Sequence, residues 1–298
     1  MREMPNSATQ IRPLTLTDLD GALTLSTAIG WNQRAEDWRM LLQIAPAASF
    51  AAVANGRVVG TAIGIDYGRF GWIAMMLVDP AYRGRGLGAR LLERAMKALP
   101  PTLPVRLDAT PLGRPLYQRF GFEDDMVLSR HVADAPAGEE LAVPQATGAC
   151  IRPLTAAELP SVTEQDAHVF GGHRRRVIEW MRDSAPNYAW VAQDSSGRPQ
   201  YCLGRAGLMF DQIGPVVAGD AEVAKALVGA ALRHARTKPV VIDAFDACET
   251  FAAWLRSAGF RVQRPLYRMC RPNVAAAGAD RYVPSDLIEF AILGPEFA

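Results

Sequence analysis

Val78-Asp79-Pro80-Ala81-Tyr82-Arg83-Gly84-Arg85-Gly86-Leu87-Gly88-Ala89-Arg90 is the stretch whose reading decides the fold. Before it, residues 72–78 form an uncharged apolar run that reads as a strand. After it, Leu87, Leu91, Leu92 and Ala95 recur at helical spacing opposite Arg90, Glu93, Arg94 and Lys97, which predicts a helix over 86–99 packed on a sheet. A strand that turns through glycines into a helix aims several backbone N–H groups and the positive helix end at one point, where an anion is stabilised. Gly84, Gly86 and Gly88 let the main chain approach a bulky phosphate, and Arg83, Arg85 and Arg90 add local positive charge, so a diphosphate fits. The spacing departs from GxGxxG, which disfavours a Rossmann fingerprint, and no Lys-Ser or Lys-Thr follows the last glycine, which excludes a P-loop.

Working outward, the pattern predicts a strand at 11–15, helices at 17–28 and 33–44, and strands at 50–54 and 58–65 joined by an Asn55-Gly56 hairpin turn. Beyond the loop it predicts a strand at 105–109, a short helix at 114–120 and a strand at 125–131. Strands first and a strand–helix–strand unit later imply an α/β fold with a mixed sheet and one parallel pair.

The chain repeats itself. Ile11-Arg12-Pro13-Leu14-Thr15 returns as Ile151-Arg152-Pro153-Leu154-Thr155, Leu107-Asp108-Ala109 is answered by Ile242-Asp243-Ala244, and Gly121-Phe122 by Gly259-Phe260, at offsets of 140, 135 and 138 residues. Self-similarity at domain length means a duplicated domain, not a solenoid. The Pro-, Gly- and acid-rich stretch between the copies reads as a linker. The organisation predicted is a first domain over 1–133, a linker over 134–149 and a second domain over 150–298.

Composition narrows the function. The 298 residues match two domains, and 49% hydrophobic with 21% charged residues is the profile of a folded globular chain. Lys plus Arg is 32 and Asp plus Glu is 31, a net charge of +1, so no global attraction draws nucleic acid or an anionic membrane. No apolar run approaches a membrane span and the start of the chain is polar, so the expectation is a cytoplasmic protein. Cys150, Cys202, Cys248 and Cys270 are scattered, and His168 and His173 have no third partner at ligand spacing, so neither disulfides nor a metal is expected. His173-Arg174-Arg175-Arg176 reads as a helix start on a solvated surface.

Arg83-x-x-Gly86-x-Gly88, preceded by Val78-x-Pro80, resembles the acetyl-coenzyme A motif of the GNAT superfamily of N-acetyltransferases. Leu116-Tyr117-Gln118-Arg119-Phe120-Gly121-Phe122 resembles that superfamily's Leu-Tyr-x-x-x-Gly-Phe signature. The resemblance covers about 11–131 and implies two tandem GNAT-like domains, each a mixed, mostly antiparallel sheet with a parallel splayed strand pair. It implies acetyl-CoA as co-substrate, held by main chain at Leu77 and Val78, by Arg83, Gly84, Arg85, Gly86, Leu87 and Gly88, and by Thr110, where many members have Asn. By the same resemblance Tyr117 is the general acid, its phenol suited to protonating a departing thiolate, or else a residue packing its helix on the sheet. The superfamily's frequent Glu on the strand before the loop is missing; Asp66, Asp79, Asp108 or a water chain remain for the base. Trp31 and Asn32 lie where the superfamily lines its acceptor pocket, although Trp31 also suits a core and Asn32 a helix N-cap.

The second half resembles a worn GNAT domain. In place of the arginine–glycine loop it has Gly214 to Glu222, with Asp220 and Glu222 set to repel a diphosphate, and Leu255 stands at the offset of Tyr117. The resemblance implies an N-acetyltransferase acting by direct attack on a small-molecule amine or amino acid derivative, with a homodimer allowed. The other class is an acyl-CoA sensor without turnover.

Overall fold

A computed structural model describes residues 9–134, 149–234, 238–273 and 287–298. The predicted linker therefore lies almost wholly outside the described residues. The first half runs β1 (Gln10–Pro13), α1 (Leu19–Ala28), α2 (Ala35–Ile44), β2 (Ser49–Ala54), β3 (Arg57–Asp66), β4 (Gly71–Val78), α3 (Leu87–Lys97), β5 (Val105–Ala109), α4 (Arg114–Arg119) and β6 (Glu123–Ala133). The second runs β7 (Arg152–Pro153), α5 (Leu159–Phe170), α6 (Arg175–Ser184), β8 (Trp190–Gln193), β9 (Pro199–Arg205), β10 (Asp211–Ala218), α7 (Ala221–Leu232), β11 (Val240–Phe245), α8 (Glu249–Ser257), β12 (Arg261–Arg271) and β13 (Ile288–Ile292). Among the described residues no helix is long and apolar enough to cross a membrane.

The elements match the sequence pattern within a few residues. Asn55 and Gly56 both take positive φ, 51° and 74°, the geometry of a tight hairpin turn. Leu87, Leu91, Leu92 and Ala95 are the buried face of α3, and each of the fully buried leucines 91 and 92 contributes about 1.5–3 kcal/mol by leaving water. The repeated pentapeptide has a physical reason. Arg12 donates to Asp18 at 2.8 and 2.6 Å while Asp18 accepts from the Thr15 amide, and Arg152, Glu158 and Thr155 reproduce the arrangement. Each half thus ties its first strand to its first helix with an arginine and an acid six residues apart.

The strand order is β1-β2-β3-β4-β5-β12-β6-β11-β13-β10-β9-β8-β7, one continuous sheet. Pairing is antiparallel except for β4 with β5 and β10 with β11. The two halves trade their long strands. β12 from the second half lies between β5 and β6, and β6 from the first half lies between β12 and β11. Twin ion pairs fix the exchange: Arg268 on β12 grips Asp108 on β5 at 2.9 and 3.0 Å, and Arg130 on β6 grips Asp243 on β11 at 2.7 Å through each of two bonds. The repeated Asp108 and Asp243 are therefore explained by packing.

A core shared by both halves sits on one face of the sheet, where Trp38, Phe70 and Trp72 meet Phe170, Ile178 and Phe297. Arg174 is buried there. It donates to Asp166 at 2.9 Å through two nitrogens and to Glu289 at 3.0 Å, and its guanidinium lies 3.8 Å from the Phe170 ring centre. The expected solvated run therefore holds for His173, Arg175 and Arg176, but Arg174 is an internal cross-link, which the charge run alone did not distinguish.

Candidate active site

β4 and β5 pair at two positions, Gly71 with Val105 and Trp72 with Arg106, and then part. From Ile73 to Val78 the β5-facing edge of β4 borders a cleft of about 1210 Å³. A bulge shapes this edge. The β3–β4 register shifts between Thr61 and Ile63, and buried Met75 takes a φ of 51°, a conformation that costs a non-glycine residue about 1–3 kcal/mol. The Thr61 hydroxyl holds it by donating to the Met75 carbonyl at 2.7 Å. Leu77 and Val78 follow, both on the cleft, and the Val78 carbonyl accepts from Arg83 Nε at 3.0 Å.

The glycine loop crosses the mouth of this opening. Asp79 caps a 3-10 turn by accepting from the Ala81 amide at 2.9 Å. Gly86 then forms the N-cap of α3 at a φ of 74°, in the left-handed region, with nothing within 4 Å of where a Cβ would stand. The loop needs glycine there for its backbone angle, not for space. Arg83, Gly84, Gly86, Leu87 and Gly88 line the cleft, whereas Arg85 turns over the Tyr82 ring at 5.8 Å and does not. Among the described residues neither Arg83 nor Arg85 has a carboxylate partner, so the charge at the loop is free for an anion. These donors fit the diphosphate of a coenzyme A.

Across the cleft, Thr110 accepts from the Gly113 amide at 3.2 Å and so sets the start of α4. One helical turn on, Tyr117 is buried against Phe122, edge to face at 6.0 Å, and also lines the cleft. Burial pushes its phenol pKa up, and its hydroxyl has no hydrogen-bond partner among the described residues. The base candidates are otherwise engaged. Asp66 accepts from the Gly68 amide and Asp79 from that of Ala81, and Asp108 is locked by Arg268.

Trp31 and Asn32 both line the cleft, between α1 and α2. Asn32 also joins the halves: its Oδ1 accepts from the Met209 and Phe210 amides at 2.9 Å and its Nδ2 donates to the Phe210 carbonyl at 2.9 Å. Its side chain is thus spent on the β9–β10 loop, and the N-cap of α2 is Arg34, not Asn32. The sequence reading did not name the residues that complete the cleft from the second half, Arg264 and Leu266 on β12 and Pro295 and Glu296 after β13, nor Arg130 on β6. The arginines of β12, at 261, 264, 268 and 271, were a visible signal; the tail at 294–298 has no periodicity to read. Pro295 accepts from Trp72 Nε1 at 3.1 Å and Phe297 from the Tyr67 hydroxyl at 3.0 Å. Glu296 accepts from Arg205, which also donates to Asp37 at 2.9 Å. Desolvation foremost, with the Glu296 charge adding, pushes Asp37 up to about 6 despite Arg205.

The equivalent opening of the second half is filled. β10 and β11 also pair at two positions, Asp211 with Val240 and Gln212 with Val241, and then part. β13 enters the gap, pairing Val216 with Ala291 on one side and Asp243 with Ile292 on the other. Gly214 permits this, because a Cβ there would overlap the Ile292 carbonyl. The helix end beyond is closed as well, since Asp220 caps α7 through the Val223 amide at 2.9 Å and Gln200 accepts from the Gly219 amide at 2.7 Å. Among its described residues the second half therefore lacks both the open gap and the exposed donors of the first.

Two family models, both described as acetyltransferase (GNAT) domains, match residues 46–124 and 162–282. A Bacillus subtilis protein named as an uncharacterized N-acetyltransferase, YitH, is 27% identical over 239 residues, 76% of this chain and 78% of its own. A putative acetyltransferase from Pyrococcus horikoshii has a similar structure, with a TM-score of 0.76 at 20% identity over 99% of both chains. A tandem GNAT protein from the clavulanic acid biosynthesis pathway gives 0.60 at 16% identity, over 93% of this chain and 100% of its own. With a GNAT match in each half and one sheet built from both, the chain belongs to the GNAT acetyltransferases, as a tandem member.

Proposed function

We propose that this chain is a cytoplasmic enzyme that transfers an acetyl group from acetyl-CoA to the primary amine of a small molecule or amino acid derivative, using the first-half cleft. Bound there, acetyl-CoA would supply an activated thioester. The N–H groups at the start of α3, with Arg83, would hold its diphosphate, and Thr110 its arm. The open β4 edge at Leu77 and Val78 offers main chain to the acetyl oxygen, an oxyanion-type role that needs no particular side chain. The amine attacks the carbonyl carbon, the new C–N bond forms and the C–S bond breaks. Tyr117 donates its proton to the leaving sulfur. Asp108 and Glu296 are each held by an arginine, so the amine proton leaves to cleft water. The second half, over 150–298, is assigned as the degenerate domain that completes the cleft without taking cofactor.

The observation that carries this reading is that the loop, the parted β4 edge, Thr110 and Tyr117, distant in sequence, line one cleft. The test is an amine screen with acetyl-CoA that follows coenzyme A release. Amine-dependent release is expected; tight acetyl-CoA binding with no release on any amine would favour the sensor reading instead.

A further inference from the structure

Charges at one part of the cleft do not cancel locally. β12 shifts register between Val262 and Arg264, an irregularity of the kind that re-aims a neighbouring side chain. Arg264 then stands directly opposite Arg130 in the β12–β6 ladder, and Arg130 opposite Asp243 in the β6–β11 ladder. The row reads guanidinium, guanidinium, carboxylate. Asp243 is taken, by Arg130 through two bonds and by Gln212 Nε2 at 3.2 Å. Arg264 has no ion-pair partner among the described residues, its Nε is buried without an acceptor, and it lines the cleft. Like charges placed opposite one another weaken a ladder, and a buried donor left unmade weakens it more. An anion delivered by a ligand would relieve both.

The complementary surplus borders the same cleft. Asp37 and Glu296 share the single guanidinium of Arg205, Glu296 lines the cleft, and its charge acts on Arg130. The cleft wall therefore carries both an excess guanidinium and an excess carboxylate, the complement of a zwitterion. Resting on the acetyltransferase reading, we propose that the acceptor is an amine that also carries a carboxylate, with Arg264 holding the carboxylate and Glu296 facing the amine. Arg264 is then a specificity residue supplied by the exchanged strand of the second half.

The experiment pairs amines that differ only in this group. Glycine, β-alanine and leucine, each against its amide, and phosphoethanolamine are titrated into the full chain with coenzyme A present, and separately assayed with acetyl-CoA. The free acids are expected to bind and react roughly 10- to 100-fold better than their amides. Arg264→Gln should erase that preference and Arg264→Lys restore part of it, with coenzyme A binding as the control that the fold survives. Equal response to acids and amides, or a preference that persists in Arg264→Gln, would overturn the proposal. Phosphoethanolamine outcompeting every carboxylate would overturn the choice of carboxylate over phosphate. Acid-selective binding without turnover would support the anion site while removing the acetyl-transfer reading; turnover without acid preference would do the reverse.

Discussion

Tyr117 and Asp37 show how much a single residue's surroundings decide. Tyr117 lines the cleft and its hydroxyl has no hydrogen-bond partner among the described residues, so removing it orphans none of their buried groups. Tyr117→Phe is expected to keep the fold and acetyl-CoA affinity while turnover falls about 10²- to 10⁴-fold, read by steady-state kinetics beside calorimetry; full turnover would reduce Tyr117 to packing. The carboxylates divide by environment. Hydrogen bonds from Arg12 and Arg152 hold Asp18 and Glu158 at about 2, below their ordinary 3.8 and 4.5. They bind protons less readily when folded, so the stability they lend is present above pH 4.5 and is lost as pH falls toward about 2. Asp37, pushed up to about 6 from 3.8, has the opposite sign, and its contribution grows as pH falls between those values. Melting curves across pH should show that gain in the native protein and not in Asp37→Asn; parallel profiles would remove the assignment. The place of Tyr117 in a motif and the recurrence of the Arg12 segment were legible in the sequence because both patterns are local, whereas the pairing of Arg12 with Asp18 came only with the structure. Asp37, Arg205 and Glu296 were not, because their meeting depends on a sheet that brings residues 37, 205 and 296 together.

The glycine loop and β13 are opposite cases at the scale of the element. The loop is legible because its chemistry is contiguous, a strand end, glycines, arginines and a helix start within residues 78–90. The sequence assigned Gly86 to close approach of the main chain, and its φ of 74° adds a second reason, a backbone angle that side chains rarely adopt. Gly86→Val should abolish acetyl-CoA binding by straining the turn, while a change at Gly219, in the closed second half, should leave it intact. β13 is a short apolar segment that reads like any other, and its position between β10 and β11 comes from pairing with strands far away in sequence. Its role gives a sharper reason than the acids at 220 and 222 do for the proposal that the second half takes no cofactor. Gly214→Val should drive β13 from the gap, lowering the melting temperature and, through the tail that follows β13, acceptor turnover. A variant of native stability would show that β13 does not depend on that close approach.

For the whole molecule, the exchange of β6 and β12 makes the two halves interdependent. The duplication was legible from the repeated motifs, and so was the α/β class. The exchange was not, since each long strand could equally have paired within its own half. A fragment of residues 1–135 would leave β5 without β12 and β6 without both neighbours, exposing three ladder edges and an apolar face. It is expected to aggregate, or to bind acetyl-CoA without acceptor turnover, as judged by light scattering and assay. Unchanged kinetics in that fragment would show that the second half is dispensable. In the first half the gap where β4 and β5 part is open, and in the second half its twin is filled by the chain's own β13. Calorimetric titration of the full chain with acetyl-CoA distinguishes them: one site per chain, lost in Gly86→Val, is the predicted result, and two sites, or a site that survives Gly86→Val, would contradict it.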